Sequence, residues 1–317
     1  ADAWYGGMYR LFTSPEMKKN PNLAMILAGT KKTRQKHNNI MRNRIYGSES
    51  ETNQFIVGEK IIPNESRMDG DTEVLKNSVP IIITKVTPRT KTQHFQGKKY
   101  PIEGFDIVGK SGKDEVSFFA VKNNGTKSLK VTNPGATADK EMYWLDSNKE
   151  WVEVYNTMDA SYNQAFGKAK KQIGKEMERF EAQFIRQFEI SRKGVDESGR
   201  PLVTYKTGDI DYGFAVTIHK AQGSTYDNAF VDEASIQYYS MGNASDSSVR
   251  KYARQMYGRN KPLEADYRAA YNVRDRMLYT AFTRPKKRLI IYNTPFVKNT
   301  LQGKTRNGMY QGKVDGQ

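Results

Sequence analysis

GFAVTIHKAQGST, residues 213–225, opens as an apolar run of strand length and then drops into a hydroxyl, an imidazole and a glycine-containing turn. A strand that ends this way offers side-chain donors and exposed backbone N–H groups, the usual means of gripping phosphates without reading sequence. Further along, LYTAFTRPKKRLIIY (residues 278–292) predicts the end of a helix followed by an apolar strand. The helix must stop near Pro285, because proline disfavours helical geometry in the residue before it. That places Arg284 at a helix terminus, where a long cation projects beyond the packed side chains Leu278, Ala281 and Phe282.

Working outward, NLAMILA (residues 22–28) predicts a buried strand introduced by Pro21 and closed by Gly29. Residues 31–46 predict a helix whose apolar positions, Ile40, Met41 and Ile45, fall at helical spacing among Lys, Arg and Asn. From about residue 60 the pattern changes to short β-like runs, VPIIITKV (79–86), FDIVGK (105–110), EVSFFAV (115–121) and SLKVT (128–132), separated by Gly and Asn. Such runs fit a small barrel or sandwich. Residues 162–188 then show period 3.6, with Tyr162, Phe166, Ala169, Ile173, Met177, Phe180, Phe184 and Phe188 on one stripe of an amphipathic helix, read as a packing face. A run around Ala229 to Asp232, a helical region from about 263 to 283 and a strand at 288–293 restore α/β alternation. The expected path is one α/β domain, residues 1–60 and 206–317, interrupted by a β-rich module with a helical extension, residues 61–205.

The 317 residues suffice for two cores, and the chain has no cysteine, which excludes disulfides and thiolate metal sites. No apolar run approaches the roughly 20 residues needed to span a bilayer, and no signal-peptide core opens the chain. A cytoplasmic protein with no membrane partner is expected. Residues 1–60 carry 10 basic and 5 acidic groups and residues 206–317 carry 18 and 10, so +13 of the net +16 lies in the two outer segments. That excess fits a polyanionic partner, since phosphate neutralisation releases counterions; a solubilising charge is the plainer alternative. The Gly-rich segment 303–317 reads as a loose terminus. The absence of an initial Met leads to the expectation of a fragment.

Together the two quoted stretches resemble motifs V and VI of superfamily 1 helicases, most closely the Dda-like and RecD-like branch that moves 5′-to-3′ on single-stranded DNA. The strand and helix around GTKKTRQKHN (residues 29–38) resemble motif IV. The resemblance implies a RecA-like second motor domain, a parallel sheet with flanking helices, interrupted by an SH3-like module. It implies Arg284 as an arginine finger, although Pro285 departs from the commoner small residue. Arg34 would be a second sensor of the γ-phosphate, with a solvated basic helix face alongside Lys31, Lys32 and Lys36 as the alternative. Gln222, Gly223 and Thr225 would lie toward the nucleotide, and Thr30, Thr217, His219 and Ser224 toward the DNA backbone. A cysteine-free, lysine-rich member of this branch points to a phage or bacterial setting and a role in DNA replication.

The match to GxxxxGK[ST] in the chain, GFDIVGKS (residues 104–111), falls on the expected strand 105–110 rather than on a loop that opens a helix, so the loop that would cradle the β- and γ-phosphates has no candidate in the right context. By the same resemblance, ATP and Mg²⁺ would be shared with an N-terminal helicase domain, in cis or in trans, and this chain alone is expected to be inactive as an ATPase. The alternative from a different class is a non-catalytic nucleic-acid-binding or partner-docking module. Asp209 and Asp211 read as turn-capping carboxylates rather than a metal pair, and Asp232 and Glu233 receive no metal role.

Overall fold

A computed structural model describes residues 2–123, 143–144, 148–195, 201–237 and 263–292. Helices α1 (Asp2–Phe12) and α2 (Pro15–Lys19) lead into strand β1 (Ala24–Ala28), which is buried at all five positions, and then helix α3 (Lys31–Tyr46). After the short helix α4 (Glu49–Thr52) come β2 (Lys60–Pro63), β3 (Arg67–Asp69), β4 (Thr72–Leu75), β5 (Ile81–Phe95), β6 (Lys98–Ser111), β7 (Asp114–Val121) and β8 (Tyr143–Trp144). Helices α5 (Lys149–Gln164) and α6 (Gly167–Gln183) precede β9 (Ile190–Val195), β10 (Pro201–Lys206) and β11 (Ile210–Tyr212). The remaining described elements are β12 (Ala215–Thr217), α7 (Ile218–Ala221), β13 (Tyr226–Asp232), α8 (Glu233–Gln237), α9 (Leu263–Phe282) and β14 (Pro285–Tyr292).

These elements form two compact units, Ala1–Gly47 with Phe214–Gln317, and Ser48–Gly213. The first is mixed α/β around a four-stranded sheet of order β12-β1-β13-β14, parallel throughout. Its helix α3 is unusual in what it buries. Arg34, His37, Asn38, Met41 and Arg42 recur at helical spacing on the buried face, so the stripe that packs is mostly polar. Several of these polar side chains have hydrogen-bond partners. The Asn38 side chain accepts from the Ala215 N–H (2.7 Å) and donates to the Ala215 carbonyl (3.4 Å). Helix α9 is held by Met277 and Ala281, 3% and 0% exposed, more than by Phe282, which is 38% exposed.

The second unit is built on an antiparallel five-stranded sheet of order β11-β2-β5-β6-β7, with the hairpin β3-β4 and the small sheet β10-β9-β8. Its limits lie outside the expected 61–205. Residues 60–63 and 210–212 make strands too short to register as alternation, yet they pair with each other and form one side of the sheet. Strands β5 and β6 also run well beyond the expected 79–86 and 105–110. The expected strand 128–132 and the segment 303–317 lie outside the described residues.

The expected helix over 162–188 is two helices. It begins earlier, at Lys149, capped by Asn148, and breaks at Ala165–Phe166 before Gly167 (φ 58) starts α6. Phe180, Phe184 and Phe188 do pack, against Trp151, Tyr155 and Met158 of α5. Trp151 stacks on Tyr155 (5.0 Å) and Phe180 (5.3 Å), and the Arg186 guanidinium lies 5.1 Å from its ring centroid. Phe166 belongs to no such face: it is 85% exposed.

Arg186 is aimed by Asp209, which is completely buried. One Asp209 oxygen accepts from the Arg186 backbone N–H (2.8 Å) and Nε (3.2 Å); the other accepts from Arg186 Nη2 (3.1 Å), Arg67 Nε (3.1 Å) and Arg67 Nη2. Asp209 is therefore the shared counter-ion of two arginines rather than a turn cap. Removing it leaves the buried Arg186 without its carboxylate and Arg67 with only Glu65, and Asp209→Ala is expected to lower stability by about 3–5 kcal/mol, read from urea unfolding of the chain. Lys60 sets a pH dependence. Burial pushes its ammonium down from 10.5 to about 7, so between those values the unfolded chain holds a proton that the folded chain lacks. Stability then rises with pH across that window. Lys60→Met should remove a slope worth on the order of 4 kcal/mol in total, measured as the difference between wild type and variant at pH 7 and pH 10.

Candidate functional site

In an all-parallel sheet the strand ends sort the loops. Residues that follow β1, β12 and β13 share the carboxyl edge; residues that precede β13 and β14 share the opposite edge.

At the carboxyl edge, Ala28 is level with Thr217 across the β1–β12 pair. Thr30, two residues on, caps α3: its hydroxyl oxygen accepts from the Thr33 N–H (3.0 Å) and its O–H donates to Thr33 Oγ1 (2.8 Å). Thr217 precedes α7 and makes no side-chain cap bond, and His219 is exposed. Arg34, the expected second sensor, is 4% exposed, and its backbone N–H donates to the Thr30 carbonyl (3.0 Å). Its side chain lies in the buried polar face of α3 rather than on an open cleft wall.

A buried hydrogen-bonded line fixes this edge. His37 Nε2 lies 2.8 Å from Asp232 Oδ2, and His37 Nδ1 lies 2.8 Å from the Tyr5 hydroxyl. In the neutral tautomer whose Nε2–H donates to Asp232, the Tyr5 O–H donates to Nδ1. Burial, with help from the Asp232 charge, pushes the Tyr5 phenol up to about 12, which keeps it a donor over the whole ordinary pH range. The other Asp232 oxygen accepts from the Ser235 N–H (3.0 Å), and Ser235 Oγ accepts from the Gly29 N–H (2.8 Å). Gly29 tolerates this approach because it lacks Cβ; a methyl there would sit 2.6 Å from the Ser235 carbonyl oxygen. So α1, α3 and β13 jointly place the turn that carries Thr30. The helical period of polar residues 34, 37, 38 and 42 was the available signal; their partners lie too far along the chain to be read.

At the opposite edge, two segments distant in sequence meet. The Arg284 guanidinium donates through Nη1 to the Ser224 carbonyl (3.2 Å), through Nε to the Thr280 carbonyl (3.0 Å) and through Nη2 to Thr283 Oγ1 (2.9 Å). The Tyr226 N–H donates to the Arg284 carbonyl (3.0 Å), in register with the Tyr226–Pro285 pair. Gln222, Gly223 and Thr225 are exposed beside this contact, and Gly223 (φ 85) has open space on its Cβ side. Arg284, Ser224 and Thr225 thus form one group, and Thr30 and Thr217 another. Ser224, expected among the DNA contacts, sits with the first. Burial pushes the Tyr226 phenol up, against the opposing influence of Ser224 and Arg284.

Among solved structures, the chain is similar to the Pif1 helicase of Candida albicans, with 12% identity and a TM-score of 0.34 over 97% of this chain and 55% of that one. It is also similar to the Pif1 of Bacteroides sp in complex with ADP-AlF4, with 10% identity and a TM-score of 0.28 over 95% of this chain and 50% of that one. The chain spans about half the length of these structures. No protein-family model and no curated protein matches it.

Gly29→Ala is expected to cost about 2 kcal/mol through overpacking against Ser235, and Thr30→Ala about 1 kcal/mol through the lost cap, with Thr30→Ser close to wild type. Thermal unfolding of the three variants ranks them.

Proposed function

We propose that this chain is the C-terminal portion of an ATP-dependent helicase of superfamily 1, in which residues 1–47 and 214–317 act as the second, RecA-like motor domain and residues 48–213 as an inserted SH3-like module with a helical extension. The observation that carries it is the 3.2 Å bond from Arg284 to the Ser224 carbonyl, which puts the cation of TAFTR against the turn of TIHKAQGST. Two sequence segments matching separate helicase motifs would have no reason to touch in an unrelated fold.

In this reading the group at Ser224, Thr225 and Arg284 is one wall of a nucleotide cleft. The fit is partial but chemically sound: it offers one half-buried guanidinium, two exposed polar side chains and an open glycine backbone. ATP would supply the hydrolysable phosphoanhydride. Arg284 would lend its positive charge to the γ-phosphate, where preorganised charge stabilises the transition state. Among the described residues no group of three His, Asp or Glu is placed to hold a metal, so Mg²⁺ would take its protein ligands from a phosphate-loop first half. Thr217, His219 and Thr30 would meet single-stranded DNA at the carboxyl edge, and closure of the two halves would move DNA 5′-to-3′.

A second reading has its own observation. All three guanidinium nitrogens of Arg284 already serve the end of α9 and the neighbouring loop. Such a residue would suit a nucleic-acid-binding or docking module whose arginine only closes a helix.

The two readings part on Arg284→Ala in a protein that joins or mixes this chain with a phosphate-loop half. A finger predicts ATP turnover lower by about 10³-fold or more with single-stranded DNA binding kept. Turnover within about twofold of wild type removes the finger assignment. Arg284→Lys, compared by thermal midpoint, separates loss of catalysis from fraying of the helix.

A further inference from the structure

The turn between α5 and α6 breaks local rules of helix building. Phe166 holds the position just before α6, in extended conformation (φ −128, ψ 156), where a short polar side chain normally satisfies the first free N–H groups. Thr30 does so for α3 and Asn148 for α5; Phe166 does not, and it is the most exposed of the large apolar side chains described, at 85%. Gly167 follows with φ 58, a conformation that keeps the turn tight and leaves the ring at its apex.

The next nine residues carry Lys168, Lys170, Lys171 and Lys175 before the first carboxylate, Glu176. Lys168 and Lys171, then Lys171 and Lys175, are three and four apart, the spacing at which like charges on a helix repel. Lys168, Lys171 and Lys175 are exposed. Among the described residues none of the four lysines forms an ion pair, and the Lys170 ammonium lies 4.7 Å from the Tyr162 ring centroid. The module as a whole is nearly neutral, so these charges are segregated rather than merely abundant.

An exposed ring beside unpaired lysines matches one chemistry: a polyanion whose monomers also carry a flat apolar face. We propose that the α5–α6 turn binds single-stranded nucleic acid, an unpaired base stacking on Phe166 while adjoining phosphates meet Lys168, Lys170, Lys171 and Lys175. Duplex bases are stacked already and offer Phe166 no face; an acidic peptide would meet the lysines but leave the ring exposed. The inference stands apart from the motor reading, since it uses none of the residues at the sheet edges.

The test is fluorescence anisotropy of a labelled oligothymidylate against the 317-residue chain. Stacking on an aromatic ring predicts that Phe166→Ala binds about tenfold more weakly and that Phe166→Trp stays within about twofold of wild type. An abasic oligomer should bind wild type and Phe166→Ala alike. Replacing Lys168, Lys171 and Lys175 by Gln should reduce the salt slope by about two, each phosphate contact on a single strand contributing about 0.7. Equal thermal midpoints show that the exposed positions changed binding alone. If Phe166→Ala binds oligothymidylate like wild type while Thr217→Ala with His219→Ala binds weakly, the proposal fails and the sheet-edge contacts stand. Weakened docking of a phosphate-loop half by Phe166→Ala, with DNA binding intact, would overturn it in favour of a protein contact.

Discussion

Everything in the first unit depends on β1 finding partners on both of its edges. Ala24–Ala28 is wholly buried, and its backbone groups are paired with β12 on one side and β13 on the other, both on the far side of residues 48–213. A buried strand with a free edge would carry unsatisfied peptide groups at a cost of a few kcal/mol in total. The long insertion is therefore tolerable only if it returns the chain to where it left. Its own first and last strands solve that problem locally, since β2 and β11 pair antiparallel and close the module at its base.

The parallel sheet then determines what meets what. Its carboxyl edge collects Thr30, Thr217 and the Asp232–Ser235–Gly29 hydrogen bonds, and its opposite edge collects Ser224 and Arg284. The geometry of the first group rests on buried polar contacts rather than apolar packing. A line from Tyr5 through His37 to Asp232 has no slack: each member has its partner at 2.8 Å, and loss of any one strands another in a dry interior. Such lines specify one arrangement more sharply than aliphatic side chains, which can slide.

Elements with a strong local signal were legible in the sequence. The apolar run of β1, the helix 31–46, and the helix stopped before Pro285 all lie where local pattern and backbone chemistry put them. The α5–α6 break was not, because Tyr162, Phe166, Ile173 and Phe180 keep helical phase across it, and phase alone cannot report that Gly167 turns the chain. The outer half of β5 escaped notice because polar residues dominate Thr87–His94 without an apolar face, and that of β6 because its buried alternation is only Tyr100 and Ile102 around Pro101. Asp209 looked like a turn residue because Arg67 and Arg186 lie so far along the chain from it, and His37 with Asp232 shares that invisibility. Periodicity sees neighbours; buried ion pairs are made by topology.

Asn38 carries a consequence for how the protein behaves among its own copies. Among the described residues β12 is the outermost strand of its sheet, and the outward N–H and C=O of Ala215 are taken by the Asn38 carboxamide. A side chain thus imitates one peptide of an absent strand. Open sheet edges invite chains to add to them and are the usual starting points of aggregation. At β12 the place is filled by a plug from the same chain, so intermolecular strand addition there would first have to displace Asn38 from two hydrogen bonds.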